Sequence, residues 1–223
     1  MTGGPIRLGI DLGTSAVKAV ALDAQGAVMA FGGADYPTYA EAPGQAEQEP
    51  NDWLQAMARA VSGVGGQLGP DFPKRVAAIG LAGQLPTLVC LGDRGPIGRA
   101  IAWSDGRADE WATRRLDAEP SLRADLYRQT GMPIDGRYLA PMFAFHHGPE
   151  GPASGRADIR HILSAKDFLC FALTGRRVTD PSTASGFGLY AIADGRWDTK
   201  LGAFWGIDTG LLPEVERPDA IAG

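Results

Sequence analysis

The 223-residue sequence is poor in cysteine and histidine, with two of the first and three of the second. Cys90 and Cys170 lie inside apolar runs, 88–91 and 168–172, with no CxxC or Cys/His spacing. That placement argues against a disulfide framework and a zinc site, and the thiols read as core residues of a cytosolic protein. His146-His147 and His161 lack the partner spacing of a metal site and read as surface or packing residues. Positive charge is also short: 21 Lys and Arg stand against 26 Asp and Glu, for a net charge of −5. Tight basic pairs, such as Arg114-Arg115 and Arg176-Arg177, are few. Without a clustered basic face, neither nucleic acid nor an anionic membrane is an expected partner. No apolar run is long enough to span a bilayer, and no signal-like apolar stretch opens the chain. The expected location is the cytoplasm.

What is present is a globular composition, 44% hydrophobic, ample for a large core. Residues 6–11 form an apolar run ending in a carboxylate, and Gly13-Thr14-Ser15 is turn chemistry. A second run covers 17–22, Asp23-Ala24-Gln25-Gly26 is a hairpin turn, and a third run covers 27–31. Consecutive hairpins give an antiparallel start, unlike the strand-helix-strand opening of a dinucleotide-binding domain. After a Pro-, Gly- and acid-rich loop at 36–49, Pro50 opens a helix through Trp53, Met57, Ala60, Val61 and Val64 that Gly65-Gly66 should stop. Residues 76–82 read as a buried strand, 87–91 as another, turned back by Asp93-Arg94-Gly95 towards 100–103. Helices are expected at 108–117, 121–130 and 140–147, a short strand at 160–163, a helix at 165–173 ended by Gly175, and a last strand at 187–192. The class is α/β in one domain, with 108–151 as a helical elaboration.

The sharpest local signal is Gly9-Ile10-Asp11-Leu12-Gly13-Thr14-Ser15, with Lys18 three residues on. A hairpin turn of Gly, Thr and Ser exposes backbone N–H groups and hydroxyls with little side-chain bulk, which makes a small anion cradle. Asp11, at the end of the preceding strand, suits a hydrated Mg²⁺ between nucleotide phosphates, and Lys18 suits the same phosphates as a point charge. An ordinary hairpin carrying a decorative Asp-x-Gly remains the alternative at this point. The turn between two apolar strands, with a third hairpin directly after, resembles the opening of the sugar kinase, Hsp70 and actin superfamily.

Six ordered blocks narrow the resemblance to the FGGY carbohydrate kinases and, within them, to the xylulokinase-like branch. Gln45-Ala46-Glu47-Gln48-Glu49-Pro50 with Trp53 resembles the family's W-x-E-Q-x-P-x-x-W segment. Ile79-Gly80-Leu81-Ala82-Gly83-Gln84 resembles its GI-x-GQ strand, and Trp103-Ser104-Asp105-Gly106-Arg107 its W-x-D-x-R motif. Ala165-Lys166-Asp167-Phe168-Leu169, Leu173-Thr174-Gly175, and the run from Thr179-Asp180-Pro181 to Ser185-Gly186 are similar to its P-K-D-Y/F-L, L-T-G and S/T-D-x-S-x-A-S/A-G runs. The blocks also make chemical sense alone. The Gln84 amide can both donate to and accept from sugar hydroxyls. Trp103 offers an aromatic face, Asp105 a carboxylate for hydroxyls, and Arg107 a guanidinium to orient it. Core packing of Trp103 and a local Asp105–Arg107 salt bridge are equally open readings. Lys166-Asp167 reads as helix capping.

The resemblance implies the ribonuclease-H-like half of the actin-like ATPase fold: a mixed sheet of about five strands, flanking helices and a helical insertion, with 1–223 forming the N-terminal domain. It implies ATP-dependent phosphorylation of a ketopentose, D-xylulose or a related sugar or polyol, on a primary hydroxyl. Asp11 would position Mg²⁺ through water, Gly13, Thr14, Ser15 and Lys18 would hold the phosphates of ATP, and Gln84, Leu85, Pro86, Trp103, Asp105 and Arg107 would form the sugar site. Two departures bear on the sugar. Leu85-Pro86-Thr87 stands where the family has Met-His-Gly, so Pro86 removes a ring donor and a backbone N–H. Met142 and Phe145 stand where the family has Lys and Trp. Leu211-Leu212-Pro213-Glu214-Val215 followed by Ile221-Ala222-Gly223 resembles the segment that closes the first domain. The general base and the adenosine pocket belong to a second domain, so the isolated chain is expected to be inactive. A homodimer of the full-length parent stays open, as does the rival reading of a non-catalytic sugar-binding or regulatory module.

Overall fold

A computed structural model describes residues 4–152 and 158–223. The elements are, in chain order, β1 (Ile6–Leu12), β2 (Ala16–Leu22), β3 (Val28–Asp35), β4 (Glu47–Gln48), α1 (Pro50–Leu68), α2 (Phe72–Arg75) and β5 (Val76–Gly83). They continue as β6 (Val89–Gly92), β7 (Gly95–Pro96), β8 (Ala100–Ile101), α3 (Asp109–Asp117), α4 (Pro120–Thr130) and α5 (Leu139–His146). The rest are β9 (His161–Leu163), α6 (Ala165–Thr174), β10 (Val178–Thr179), α7 (Pro181–Ser185), β11 (Tyr190–Ala191), β12 (Arg196–Trp197), α8 (Thr199–Trp205), a 3₁₀ turn Thr209–Leu211, and β13 (Glu214–Val215). Two compact units result: residues 1–38 with 49–84, and residues 39–48 with 85–223.

The first unit is a four-stranded mixed sheet, order β3-β2-β1-β5, with β5 parallel to β1 and the two hairpins antiparallel. Alternation sets its two faces. Ile6, Leu8, Ile10 and Leu12 of β1 and Val17, Ala19 and Ala21 of β2 are buried, while Arg7, Asp11 and Lys18 are exposed on the other face. Helix α1 supplies the cover, burying Trp53, Ala56, Ala60 and Val64 at helical spacing. Contact is closest at Gly32, where an added Cβ would lie 2.1 Å from the Ala60 carbonyl oxygen.

Two expectations for this unit are corrected. Helix α1 runs through Gly65-Gly66 and stops at Gly69, whose φ of +84° leaves the helical region. Tertiary contacts outweigh the local glycine cost: Gln67 Nε2 donates to the Phe31 carbonyl at 2.6 Å, and Phe72 packs over Gly65. Strand β5, expected to be buried, is a sheet edge with residues 77–80 exposed and Ile79 at 50%. An apolar run signals a strand suited to burial but does not say whether a second layer covers it.

The second unit holds small sheets around a helical core: β7-β6-β9, β4-β8, β10-β13 and β11-β12. The core packs Leu116, Leu126, Leu139, Met142, Ile162, Phe187, Leu189 and Trp205. Helices α3, α4 and α5 fall where apolar periodicity places them, within a residue or two. The expected strand at 187–192 shrinks to Tyr190–Ala191, because the carbonyls of Gly186 and Phe187 accept from the first N–H groups of α5, at Leu139 and Ala140. Residues 100–101 pair with β4, as Glu47↔Ile101 and Gln48↔Ala100, and local pattern carries no information about so distant a strand. Cys90 and Cys170 are both buried, as expected of core thiols.

Candidate functional site

In the first unit, the β1–β2 turn places Asp11 directly across the ladder from Lys18, both exposed on the face away from α1. Between them the chain reverses at Gly13, whose N–H donates to the Ala16 carbonyl at 3.0 Å. An added Cβ on Gly13 would lie 3.3 Å from that oxygen, so the tight turn favours glycine. Thr14 and Ser15 are exposed at the tip. Asp11 and Lys18 also line a mainly apolar cleft of about 390 Å³ with Gly9, Val20, Phe31 and Gly80.

A residue that the sequence pattern left in a loop fastens this turn. The Tyr36 hydroxyl donates to the Gly13 carbonyl in a short hydrogen bond, and the Tyr36 N–H donates to the Ser15 carbonyl at 3.1 Å. Gln84 reaches the same point: its N–H donates to the Leu12 carbonyl at 2.7 Å, and its Nε2 donates to the Tyr36 hydroxyl at 3.3 Å. Burial, and then the nearby Asp11 carboxylate, push the Tyr36 phenol well above its ordinary pKa, which keeps it a donor. The Tyr36 ring meets Trp53 edge-on at 6.4 Å. A polar-ended aromatic immediately after an apolar strand was the available signal, but its partner could not be read from sequence.

In the second unit, Leu85 and Pro86 are joined by a cis peptide bond. The Leu85 side chain fills space that Gly186 leaves, since a Cβ there would lie 2.5 Å from Leu85 Cδ1. Trp103 is 40% exposed, more than core packing would leave. Asp105 is buried at 1% and its two oxygens accept from protein donors: the Ala46 N–H at 2.8 Å, the Arg107 N–H at 3.1 Å and the Arg107 guanidinium at 2.7–3.1 Å. Arg107 also donates to Glu47 at 2.6 Å. Burial works against the Arg107 charge, but the bonds to Asp105 and Glu47 outweigh it and raise its pKa. The local Asp105–Arg107 bridge weighed from sequence is thus present, and it extends to Glu47, to which sequence reasoning gave no role.

His146 senses the same charges. Burial, then repulsion from Arg107, lowers its pKa to about 4, so the ring is neutral near pH 7. Lys166 and Asp167 act structurally: Ser164 and Asp167 form a capping box on α6, and Lys166 bridges Asp167 and Asp180 at 3.0 Å each. Among the described residues no three His, Cys, Asp or Glu gather as a metal site. No helix among them is long and apolar enough to cross a membrane.

The family model of the FGGY family of carbohydrate kinases, N-terminal domain, matches residues 6–223. A xylulose kinase of Streptomyces coelicolor is 32% identical over 224 residues, covering 99% of this chain and 44% of that protein. A glycerol kinase of Xanthobacter autotrophicus is 34% identical over 215 residues, covering 93% of this chain and 42% of that one. The crystal structure of a xyloylose kinase from Brucella ovis superposes with a TM-score of 0.83 at 29% identity, over 95% of this chain and 42% of its own. The chain therefore spans less than half the length of these relatives. It shares their actin-like ATPase fold and belongs to the FGGY family of carbohydrate kinases, whose N-terminal domain it matches.

Proposed function

We propose that the chain is the phosphate- and sugar-binding part of a kinase that phosphorylates a ketopentose or related polyol on a primary hydroxyl at the expense of ATP. The observation that carries this reading is the β1–β2 turn, with Asp11 and Lys18 side by side and the Gly13 corner fastened by Tyr36. Gly13, Thr14 and Ser15 present small groups and hydroxyls to phosphate oxygens, and Lys18 adds a positive charge on the same face. An exposed carboxylate that gathers no cluster of metal ligands among the described residues suits a hydrated Mg²⁺, so Asp11 would hold the ion through water. Mg²⁺ would supply charge neutralisation between the phosphates. The remaining work of this chain is positioning.

For the sugar, Gln84 offers an amide, the Leu85-Pro86 segment backbone carbonyls, and Trp103 an exposed aromatic face. Asp105 and Arg107, engaged with each other and with Glu47 and Ala46, act by holding the Trp103 segment in place. Xylulose and glycerol kinases both stand among the relatives, so ketopentose over glycerol is this reading's own choice, resting on the xylulokinase-like blocks.

Because the catalytic base is expected outside this chain, the test is binding. Titration with D-xylulose should quench the fluorescence of the wild-type chain, and Trp103→Phe should lose most of the quench. Glycerol should bind at least tenfold more weakly. Mg·ADP should bind the wild type and not Asp11→Asn, whose sugar affinity should be unchanged. Equal affinity for glycerol and xylulose would remove the ketopentose assignment, and unchanged Mg·ADP binding in Asp11→Asn would remove the phosphate site. The purified chain should release no ADP above background with any of these sugars.

A further inference from the structure

The Arg176-Arg177 pair has no part in the reading above, yet it opens onto a cleft of about 600 Å³ in the second unit. Strands β10 and β13 form one wall, where the Glu214 N–H donates to the Arg177 carbonyl at 3.0 Å, and β12 forms another. Three arginines, Arg176, Arg177 and Arg196, are among the residues that line the cleft, together with Glu214. Two of the three arginines have carboxylate partners of their own, so what distinguishes the cleft is the remaining one, Arg177.

The three arginines are not equivalent. Arg176 donates to Glu216 at 2.6 Å and lies 4.0 Å from the cleft carboxylate Glu214, and Arg196 donates to Asp194 at 3.1 Å. Arg177 has no carboxylate within ion-pair distance among the described residues. Its Nη1 instead lies 2.5 Å from His161 Nδ1 and 3.0 Å from Nε2, and a neutral imidazole can accept a hydrogen bond but cannot balance the charge. Trp197 completes the wall. Its Nε1 is committed to the Pro213 carbonyl at 2.9 Å, and its ring is fixed against Phe187 and Tyr190 at 5.0 and 5.8 Å. A planar guanidinium fork, a preorganised indole and a carboxylate acceptor in one cleft fit an anionic headgroup carried on a hydroxylated carbon body.

We propose that this cleft is a second ligand site, binding a small phosphate monoester of a sugar or polyol, with Arg177 on the phosphoryl group. Glu214 accepts from its hydroxyls and the Trp197 ring covers its C–H face. Such a ligand is of the product class of the proposed reaction, but its site consists of residues other than those of the β1–β2 turn.

Calorimetric titration of the 223-residue chain with glycerol 3-phosphate and with inorganic phosphate tests the assignment. The ester should bind at least fivefold tighter than inorganic phosphate, because only the ester engages Glu214 and Trp197. Arg177→Gln should weaken the ester at least tenfold, and Arg177→Lys by less, since it keeps the charge and loses the fork. Lys18→Ala, altered in the β1–β2 turn, should leave the affinity for the ester unchanged. Arg177 is exposed and its backbone pairing does not depend on the side chain, so an unchanged circular dichroism spectrum is expected. No binding at millimolar ester, or equal affinity in Arg177→Gln, would overturn the site. Loss of binding in Lys18→Ala with retention in Arg177→Gln would move the ligand to the β1–β2 turn and end the proposal. Equal affinities for ester and inorganic phosphate would end the ester assignment.

Discussion

Replacing Tyr36 with Phe removes one oxygen atom and leaves the packing of the ring on Trp53 in place. What goes is the donor to the Gly13 carbonyl and the acceptor for Gln84 Nε2. Tyr36 is 7% exposed and Gln84 9%, so water replaces the lost hydroxyl poorly. A net hydrogen bond is worth about 1 kcal/mol, and a buried group left without a partner costs about 1–3 kcal/mol, which gives a combined loss of about 2–4 kcal/mol. In a chain of this size that loss lowers the melting temperature by about 4–16 °C. Because the bonds converge on the β1–β2 turn, amide exchange at Gly13 and Ala16 should accelerate more than exchange in α6 of the other unit. There is also a pH signature. The folded phenol has its pKa raised above the ordinary 10.0, so its contribution is complete below about pH 10 and is lost as pH rises beyond that value, where the unfolded tyrosine ionises first. Phe cannot ionise, so the stability gap between wild type and Tyr36→Phe should shrink above pH 10. The measurements are thermal melts at pH 7 and between pH 10 and 11, with exchange followed by NMR. A melting shift under 1 °C with unchanged exchange at Gly13 would refute the role given to Tyr36.

Three further perturbations address the rest of the architecture. Gly32→Ala should lower stability by about 3 kcal/mol, since α1 must move off the sheet at Ala60; Gly66→Ala, with open space around its Cβ, should instead stabilise by up to about 1 kcal/mol, and paired urea melts compare the two. Arg107→Ala leaves the Asp105 carboxylate buried without its counter-charge and should cost about 3 kcal/mol, while Asp105→Asn added to it should restore part of that, as a double-mutant cycle will show. His146, with its pKa lowered from 6.5 to about 4, contributes stability that is complete above pH 6.5 and lost as pH falls towards 4; His146→Phe should flatten that part of the stability profile, and the NMR titration of the ring should have its midpoint near pH 4.

Period-2 and period-3.6 patterns were enough for β1, β2, α1 and the three helices after residue 108, because each buries one face and the burial is written in its own residues. Likewise Gly13-Thr14-Ser15 announced a tight turn through local chemistry, and the FGGY-like blocks announced the family through their order along the chain. Elements whose limits depend on distant partners were less legible. Helix α1 outlasts Gly65-Gly66 because of Phe31 and Phe72, and the strand at 187–192 gives up Phe187 to the first turn of α5.

The sequence by itself therefore determined the α/β class, the hairpin opening, the family and the residue types available for phosphate and sugar. Side-chain alternation, turn preference and motif order are all properties of neighbouring residues. Only the tertiary structure decided which groups are already engaged. It brought Tyr36 across 23 positions onto the Gly13 carbonyl, tied Asp105 to Ala46 and Arg107 to Glu47, and left Arg177 without a carboxylate partner among the described residues. Hydrogen bonds and ion pairs depend on distances of a few ångströms between residues far apart in the chain, and those distances exist only once the backbone has folded.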